Sequence, residues 1–219
     1  MFRGLIKNIF FDFDGVILDS VDCKTKAFKS MYEKYGNKIA DEVEAYHIAH
    51  GGVSRFEKFK FWHKEYLGIN LSDKELSELS NEFSSRVVDK VVASCEIEGS
   101  IDFIKQNSNQ YKCWIITGTP TTEMKQITQK LNIAKYFLGI HGSPEKKIYW
   151  VDYLLKEYQL IPNETLFLGD ATTDYEAARS GNLHFALRQA DYNKPFFENI
   201  DVPRFKTFYE LNSMLNEQA

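Results

Sequence analysis

Asp12 and Asp14 stand two residues apart in Phe11-Asp12-Phe13-Asp14-Gly15-Val16. An extended chain turns both carboxylates to one side, and Gly15 lets the backbone turn just after them. A second acidic pair, Asp170 and Asp174, stands in Gly169-Asp170-Ala171-Thr172-Thr173-Asp174. Three or four carboxylates brought together are costly without a cation. Ligation by carboxylates and water suits a hard ion, and Mg2+ is the expected one. With that charge balanced, Asp12 stays ionised and can attack phosphorus. Asp14 can protonate the leaving oxygen and later deprotonate the water that splits the aspartyl phosphate. Thr117 and the neighbouring amides can hold phosphate oxygens, and a lysine of the pair Lys146-Lys147 can meet the charge on the transferring group.

These groups need elements that bring them to one place. Ile9 to Phe13 is a short aromatic and β-branched run that reads as a buried strand. Tyr111 to Thr117, Phe137 to His141, Thr165 to Leu168 and Leu183 to Leu187 are further such runs, most of them stopped by Gly-containing turns. Helical patterns lie between them: from Ile101, from Thr122 to Leu131, through Val151, Leu154, Leu155 and Tyr158, and from Thr173 to Ser180 with Gly181 as a C′ residue. Strands alternating with helices predict an α/β fold, a Rossmann-like parallel sheet with helices on both faces. Ligands of such sheets bind at the carboxyl ends of the strands. Asp12, Thr117, Lys146-Lys147 and Gly169-Asp170 all fall there. Each signal alone is commonplace; four of them at successive strand ends are not.

Residues 20–95 have a different pattern. Ala27, Phe28, Met31, Tyr32 and Tyr35 recur at helical spacing, Asp41 to Ala49 and Ser54 to Leu67 read as helices, and Ser72 with Glu75 is a capping box ahead of the stripe Leu76, Leu79, Phe83, Val87, Val91. The expectation is an all-helical cap inserted after the first strand, with 1–19 and 96–219 forming the catalytic core. Phe56, Phe59 and Trp62 read as a core stripe, and His47, His50 and His63 as packing or surface residues.

The chain has 219 residues, 43% hydrophobic and 26% charged, with a net charge of −4. That is a globular composition without the basic stripe of a nucleic-acid binder. From Met1 through Asp12 no apolar stretch is long enough for a signal segment or a membrane span. Cys23, Cys95 and Cys113 form no metal-binding spacing, which fits a reducing compartment, with Cys113 as a core thiol. A cytoplasmic monomer or homodimer is expected, acting on a small phosphorylated metabolite.

Phe11-Asp12-Phe13-Asp14-Gly15-Val16-Ile17-Leu18-Asp19-Ser20, Trp114-Ile115-Ile116-Thr117-Gly118-Thr119, a lysine after Gly142-Ser143-Pro144, and Leu166-Phe167-Leu168-Gly169-Asp170-Ala171-Thr172-Thr173-Asp174 together resemble the four motifs of the haloacid dehalogenase-like hydrolase superfamily. The resemblance implies Asp12 as nucleophile, Asp14 as acid/base and Thr117 as phosphate ligand. It also implies a metal site from Asp12, the Asp14 carbonyl, Asp170 and the supporting Asp174. Lys147 suits the motif spacing better than the adjacent Lys146. Substrate contacts are expected at Gly118, Ser20, Gly52 and Arg55.

Asp14 favours phosphoryl transfer over dehalogenation, which has no leaving oxygen to protonate. Gly51-Gly52-Val53-Ser54-Arg55 lies where phosphonatases of the superfamily carry a Schiff-base lysine, and an arginine cannot fill that role. The segment resembles the Gly-Val-Ser-Arg loop of β-phosphoglucomutases, where the arginine grips a second phosphate. Lys24 stands in place of the histidine of those mutases. A phosphatase for a phosphoglycolate-like acid or a sugar phosphate is therefore preferred over a phosphomutase. An aspartate-phosphorylated signalling module, which would have no helical insert, comes last.

Overall fold

The computed structural model describes residues 5–217; residues 1–4, where the N-terminal stretch considered above begins, and 218–219 lie outside the described residues. The chain enters with β1 (Asn8–Phe11) and continues with four helices, α1 (Val21–Tyr32), α2 (Asn37–Ala49), α3 (Arg55–Leu67) and α4 (Asp73–Val92). Next come α5 (Ser100–Asn107), β2 (Lys112–Pro120), α6 (Thr121–Lys130), β3 (Gly139–Ser143) and α7 (Lys147–Glu157). The remainder is β4 (Thr165–Gly169), α8 (Thr172–Ser180), β5 (His184–Arg188), β6 (Arg204–Phe205) and α9 (Phe208–Asn216).

The strands form one parallel sheet in the order β3-β2-β1-β4-β5-β6. Strand order reverses between β1 and β4, which opens a crevice at their carboxyl ends. The side chains alternate between two buried faces. Ile9, Phe11, Ile115 and Leu168 join a cluster with Ile104, Met124, Ile127 and Leu211. Phe10, Trp114, Ile116 and Phe167 join another with Val151, Leu154, Ala177 and Ala178. Burial on both faces explains why these strands read as continuous apolar runs. Each large side chain buried this way contributes roughly 1.5–3 kcal/mol.

The first cluster continues without a break into α1, α3 and α4 through Phe28, Met31, Phe59, Trp62, Phe83 and Val87. The helices start and stop where local chemistry directs. Ser72 and Glu75 complete the expected capping box of α4, Ser54 accepts from the Glu57 amide at the start of α3, and Gly68 ends α3 in the left-handed region. Gly181 departs from the expected C′ role: its φ is −89°, and a Cβ there would lie 2.5 Å from Val151 Cγ1. It is small for packing, not for a left-handed turn. Among the described residues no helix is long and apolar enough to cross a membrane.

Two features lie outside the sequence expectations. β2 runs on through Gly118, Thr119 and Pro120 with a register shift against β3. β6 closes the far edge of the sheet beside β5, and α9 packs on one face, its Phe208 stacked on Phe11 of β1. The chain leaves the sheet region for α1–α4 and returns along one strap. Leu18 bridges Glu96, the Asp19 amide donates to the Cys95 carbonyl at 2.9 Å, and the Ile97 amide donates to Ile17.

Candidate active site

Asp12 follows β1, and its amide extends the ladder by donating to the Leu168 carbonyl at 2.9 Å. This places its side chain at the crevice, beside Asp170 and Asp174 after β4. Carboxylate oxygens of the three lie within 4.8 Å of one another. Lys147, the first residue of α7, reaches in between, 3.0 Å from Asp12 Oδ2 and 2.6 Å from Asp174 Oδ1. Lys146 instead projects outward to Glu57 at 3.1 Å. The other oxygen of Asp174 accepts from the Asp170 and Ala171 amides. Tyr192 donates to Asp170 Oδ2 at 2.5 Å, and the Asn193 side chain donates to the Asp170 carbonyl.

Three buried acids and one lysine leave an excess of negative charge. Burial, with Asp12 and Asp174 adding to it, raises Asp170 well above the usual carboxylate range. Asp174 is pushed up to about 7 by burial and Asp12 against the pull of Lys147. Burial works against the charge on Lys147, but Asp12 and Asp174 outweigh it and hold the ammonium above the ordinary lysine range. Asp12 Oδ1 is buried and has no hydrogen-bond partner. An all-oxygen donor set with surplus charge and an orphaned carboxylate oxygen fits a hard divalent cation.

Asp14 does not join that group. Its Oδ2 accepts from Lys24 Nζ and from Thr119 Oγ1 at 3.0 Å, and its Oδ1 from Ser20 Oγ at 2.6 Å. Burial would raise its pKa, yet Lys24 outweighs burial and holds it below the usual range. Asp12 and Asp14 therefore serve two separate networks, because the chain bends at Asp14-Gly15, where φ of Gly15 is +80°.

Over these strand ends lies a pocket of about 110 Å³. At roughly 10–15 Å³ per water, it holds about seven to eleven waters, a small-molecule space. Its floor includes Asp12, Asp14, Thr117 and Gly118; its roof, from α1 to α3, includes Lys24, Gly52, Arg55 and Lys58. Roof and floor meet closely. Gly52 has φ +73°, and a Cβ on it would run into Thr173 and come within 3.3 Å of Lys147 Nζ. A Cβ on Gly118 would lie 2.5 Å from the Gly52 carbonyl.

Two expected substrate contacts need correction. Ser20 is fully buried; its hydroxyl is spent on Asp14 and it does not line the pocket. Arg55 does line the pocket, but its guanidinium grips Glu123 through two bonds of 2.6 and 2.8 Å and lies over the Phe83 ring. Its charge is already balanced, so it is no free anion receptor. Lys24, Thr119, Tyr192 and Lys58 were not expected as site residues. The signal for two of them was present: Lys24 and Lys58 sit on the apolar stripes of their own helices, at i−3 or i−4 from Ala27 and Phe28 and from Trp62.

A parallel sheet with an acid cluster at its switch point and a small-molecule pocket above it is the arrangement of an α/β enzyme of the hydrolase type. The chain belongs to the haloacid dehalogenase-like hydrolase family, whose model matches residues 9–187. It is 24% identical over 183 residues to a phosphorylated carbohydrates phosphatase of Thermotoga maritima, covering 80% of this chain and 81% of that one. It is 24% identical over 221 residues to a phosphoglycolate phosphatase of Pasteurella multocida, covering 95% and 98%. A structure of a Bacillus subtilis protein of the family, bound to magnesium, superposes with a TM-score of 0.71 at 18% identity, covering 97% of this chain and all of that one.

Proposed function

We propose that the protein is a Mg2+-dependent phosphatase that hydrolyses a small phosphorylated metabolite, an acid or a sugar phosphate, through an aspartyl phosphate on Asp12. The observation that carries this is the Asp12 carboxylate: one oxygen on Lys147, the other buried without a partner beside Asp170 and Asp174. Mg2+ would be held by Asp12, the Asp14 carbonyl and Asp170, with Asp174 orienting Lys147 and the amides after β4. Bound there, it supplies charge to offset the crowded acids and the phosphate oxygens.

The chain's own groups divide the rest of the work. Asp12 attacks phosphorus while Lys147 and Thr117 hold the equatorial oxygens. Asp14 rests ionised against Lys24; as substrate displaces that lysine it takes up a proton from solvent, and it passes this proton to the leaving oxygen. Ionised again, it takes a proton from the water that attacks the aspartyl phosphate, which restores Asp12 and releases phosphate. Residues 20–95 act as the cap, and the contact of Gly52 with Gly118 excludes water. Both curated relatives named above are phosphatases, which supports hydrolysis. The pairing of Arg55 with Glu123 removes the main support for a mutase. Three free cysteines support a reducing, cytoplasmic setting.

The test is phosphate release from a panel of phosphorylated acids and sugars, with Mg2+ and with chelator, for wild type and Asp12→Asn. Mg2+-dependent release lost in the variant is expected. Release that persists in Asp12→Asn would overturn the role of Asp12.

A further inference from the structure

Among the described residues, four lysine or arginine side chains are buried: Lys24, Arg55, Lys58 and Lys147. Three have a carboxylate in contact, namely Asp14, Glu123, and the pair Asp12 and Asp174. Lys58 has none among the described residues. Its Nζ lies 2.7 Å from His47 Nδ1 and 5.9 Å from the centre of the Phe28 ring. It is 2% exposed and lines the pocket from the roof.

A buried ammonium without a counter-ion is expensive. The neighbours raise that cost. Burial, then Lys24 and Lys147, pull Lys58 down to about 7, with only Asp14 opposing. His47 gives no negative charge in return: burial, Lys58 and Lys24 hold its pKa well below the ordinary range. The imidazole is therefore neutral, its Nδ1 accepts from Lys58, and the pair carries at most one positive charge. Its neighbours in the roof offer no free anion. Phe28 and Phe83 stack at 3.8 Å, and Arg55 is taken by Glu123.

We infer that Lys58, hydrogen-bonded to His47, receives a second anionic group of the substrate, a carboxylate or a further phosphate, distinct from the transferred phosphoryl group. This rests on the phosphatase reading above and narrows its substrate class. It moves the anion-gripping role expected of Arg55 one turn along α3, to the side chain at i+3 on the same face. The anion supplies the counter-charge that the fold withholds. A neutral substrate of the same size leaves it missing. Lys58 thus determines specificity and takes no part in the chemical step.

The experiment uses phosphonates, which bind without turnover. Calorimetric affinities for phosphonoacetate, methylenebisphosphonate and ethylphosphonate are measured at constant free Mg2+, with wild type, Lys58→Met and Lys58→Arg. Wild type is expected to prefer one or both doubly anionic probes over ethylphosphonate by about ten- to a hundred-fold, the range of a buried charge-assisted hydrogen bond. The probe it prefers identifies carboxylate or phosphate. Lys58→Met is expected to collapse that preference to about one, and Lys58→Arg to restore part of it. A wild type with no preference, or a preference that survives Lys58→Met, would overturn the assignment; the first result needs no variant to fold. The phosphatase reading fails separately. Anion-dependent binding without phosphate release from any ester would sink that reading and support Lys58. Release without an anion preference would sink the Lys58 assignment alone.

Discussion

The two walls of the pocket solve opposite electrostatic problems. The floor, made by the strand ends, gathers Asp12, Asp170 and Asp174 around a single lysine. The roof, made by α1 to α3, gathers Lys24, Arg55 and Lys58. Floor acids in excess call for a cation, and Lys58, the one of these roof bases without a carboxylate in contact among the described residues, calls for an anion. A metal-bound phosphate ester with an anionic tail satisfies both at once. The difference teaches that the two charge surpluses are encoded in separate parts of the chain, one on the sheet and one on the helices, and the proposed division between reaction and choice of substrate follows it.

That contrast can be broken from the floor first. Asp12→Asn is expected to lower kcat by about 10⁴-fold or more, the scale of losing a covalent nucleophile, with KM little changed; steady-state kinetics on the best ester checks it. Asp14→Asn is expected to cost about 10²–10⁴-fold in kcat, the range of general acid–base catalysis. Its loss should be smaller on esters with good leaving groups such as aryl phosphates, which need less protonation. From the roof, Glu123→Gln leaves the Arg55 guanidinium buried and unbalanced. Chemical denaturation is expected to show a stability loss of about 3–5 kcal/mol, whereas the same assay on the exposed pair partner variant Glu82→Gln should move by under about 1 kcal/mol.

The finest test uses pH, because floor and roof have opposite slopes. Asp174 titrates at about 7 in the folded chain, above its unfolded value of about 3.9. The folded state therefore binds more protons between those values, and without metal its stability falls as pH rises through that window. Mg2+ is expected to raise Tm more at about pH 8 than at about pH 5. Lys58 titrates at about 7, below its unfolded value of about 10.4. The unfolded state binds more protons there, so stability rises with pH through that window. The gain in Tm from Lys58→Met should accordingly be larger at about pH 6 than at about pH 10. Equal gains at both would show that Lys58 pays no charge penalty.

The floor was far more legible in the sequence than the roof, for a physical reason. Strand ends of a parallel sheet converge whatever the details, so Asp12, Thr117, Asp170 and the pair Lys146-Lys147 could be placed together from order alone, the preference for Lys147 coming from the motif resemblance. The partners in the roof are joined across distances the chain does not encode locally. Glu123 lies 68 residues from Arg55, and nothing near either residue announces the pair. Lys24 stands out in the sequence only as a departure from the mutase histidine, and Lys58 not at all, because lysine ordinarily faces water; their positions on apolar stripes are the signal for both. Ser20 is expected as a substrate contact. In the structure it caps nothing and holds Asp14 instead. β6 has two residues, too few for a period to show. α9 carries a legible start, Thr207 accepting from the Glu210 amide, but its stripe of Phe208, Leu211 and Leu215 follows a stretch with no strand signal to frame it.

The strap at Leu18–Asp19 and Cys95–Ile97 has a consequence for how such a molecule can be altered. Departure and return of the chain are hydrogen-bonded neighbours, so about seventy-five residues are spliced into the sheet region at what amounts to one point. Closing a loop costs only about (3/2)RT ln n in its length, so exchanging this segment for another of different size hardly changes the entropy of forming the sheet. A chimera that keeps residues 5–19 and 95–217 and receives a foreign helical segment between them should retain its hydrolytic centre while acquiring a new appetite. The single-point junction makes the helical segment an interchangeable tool head on a fixed handle.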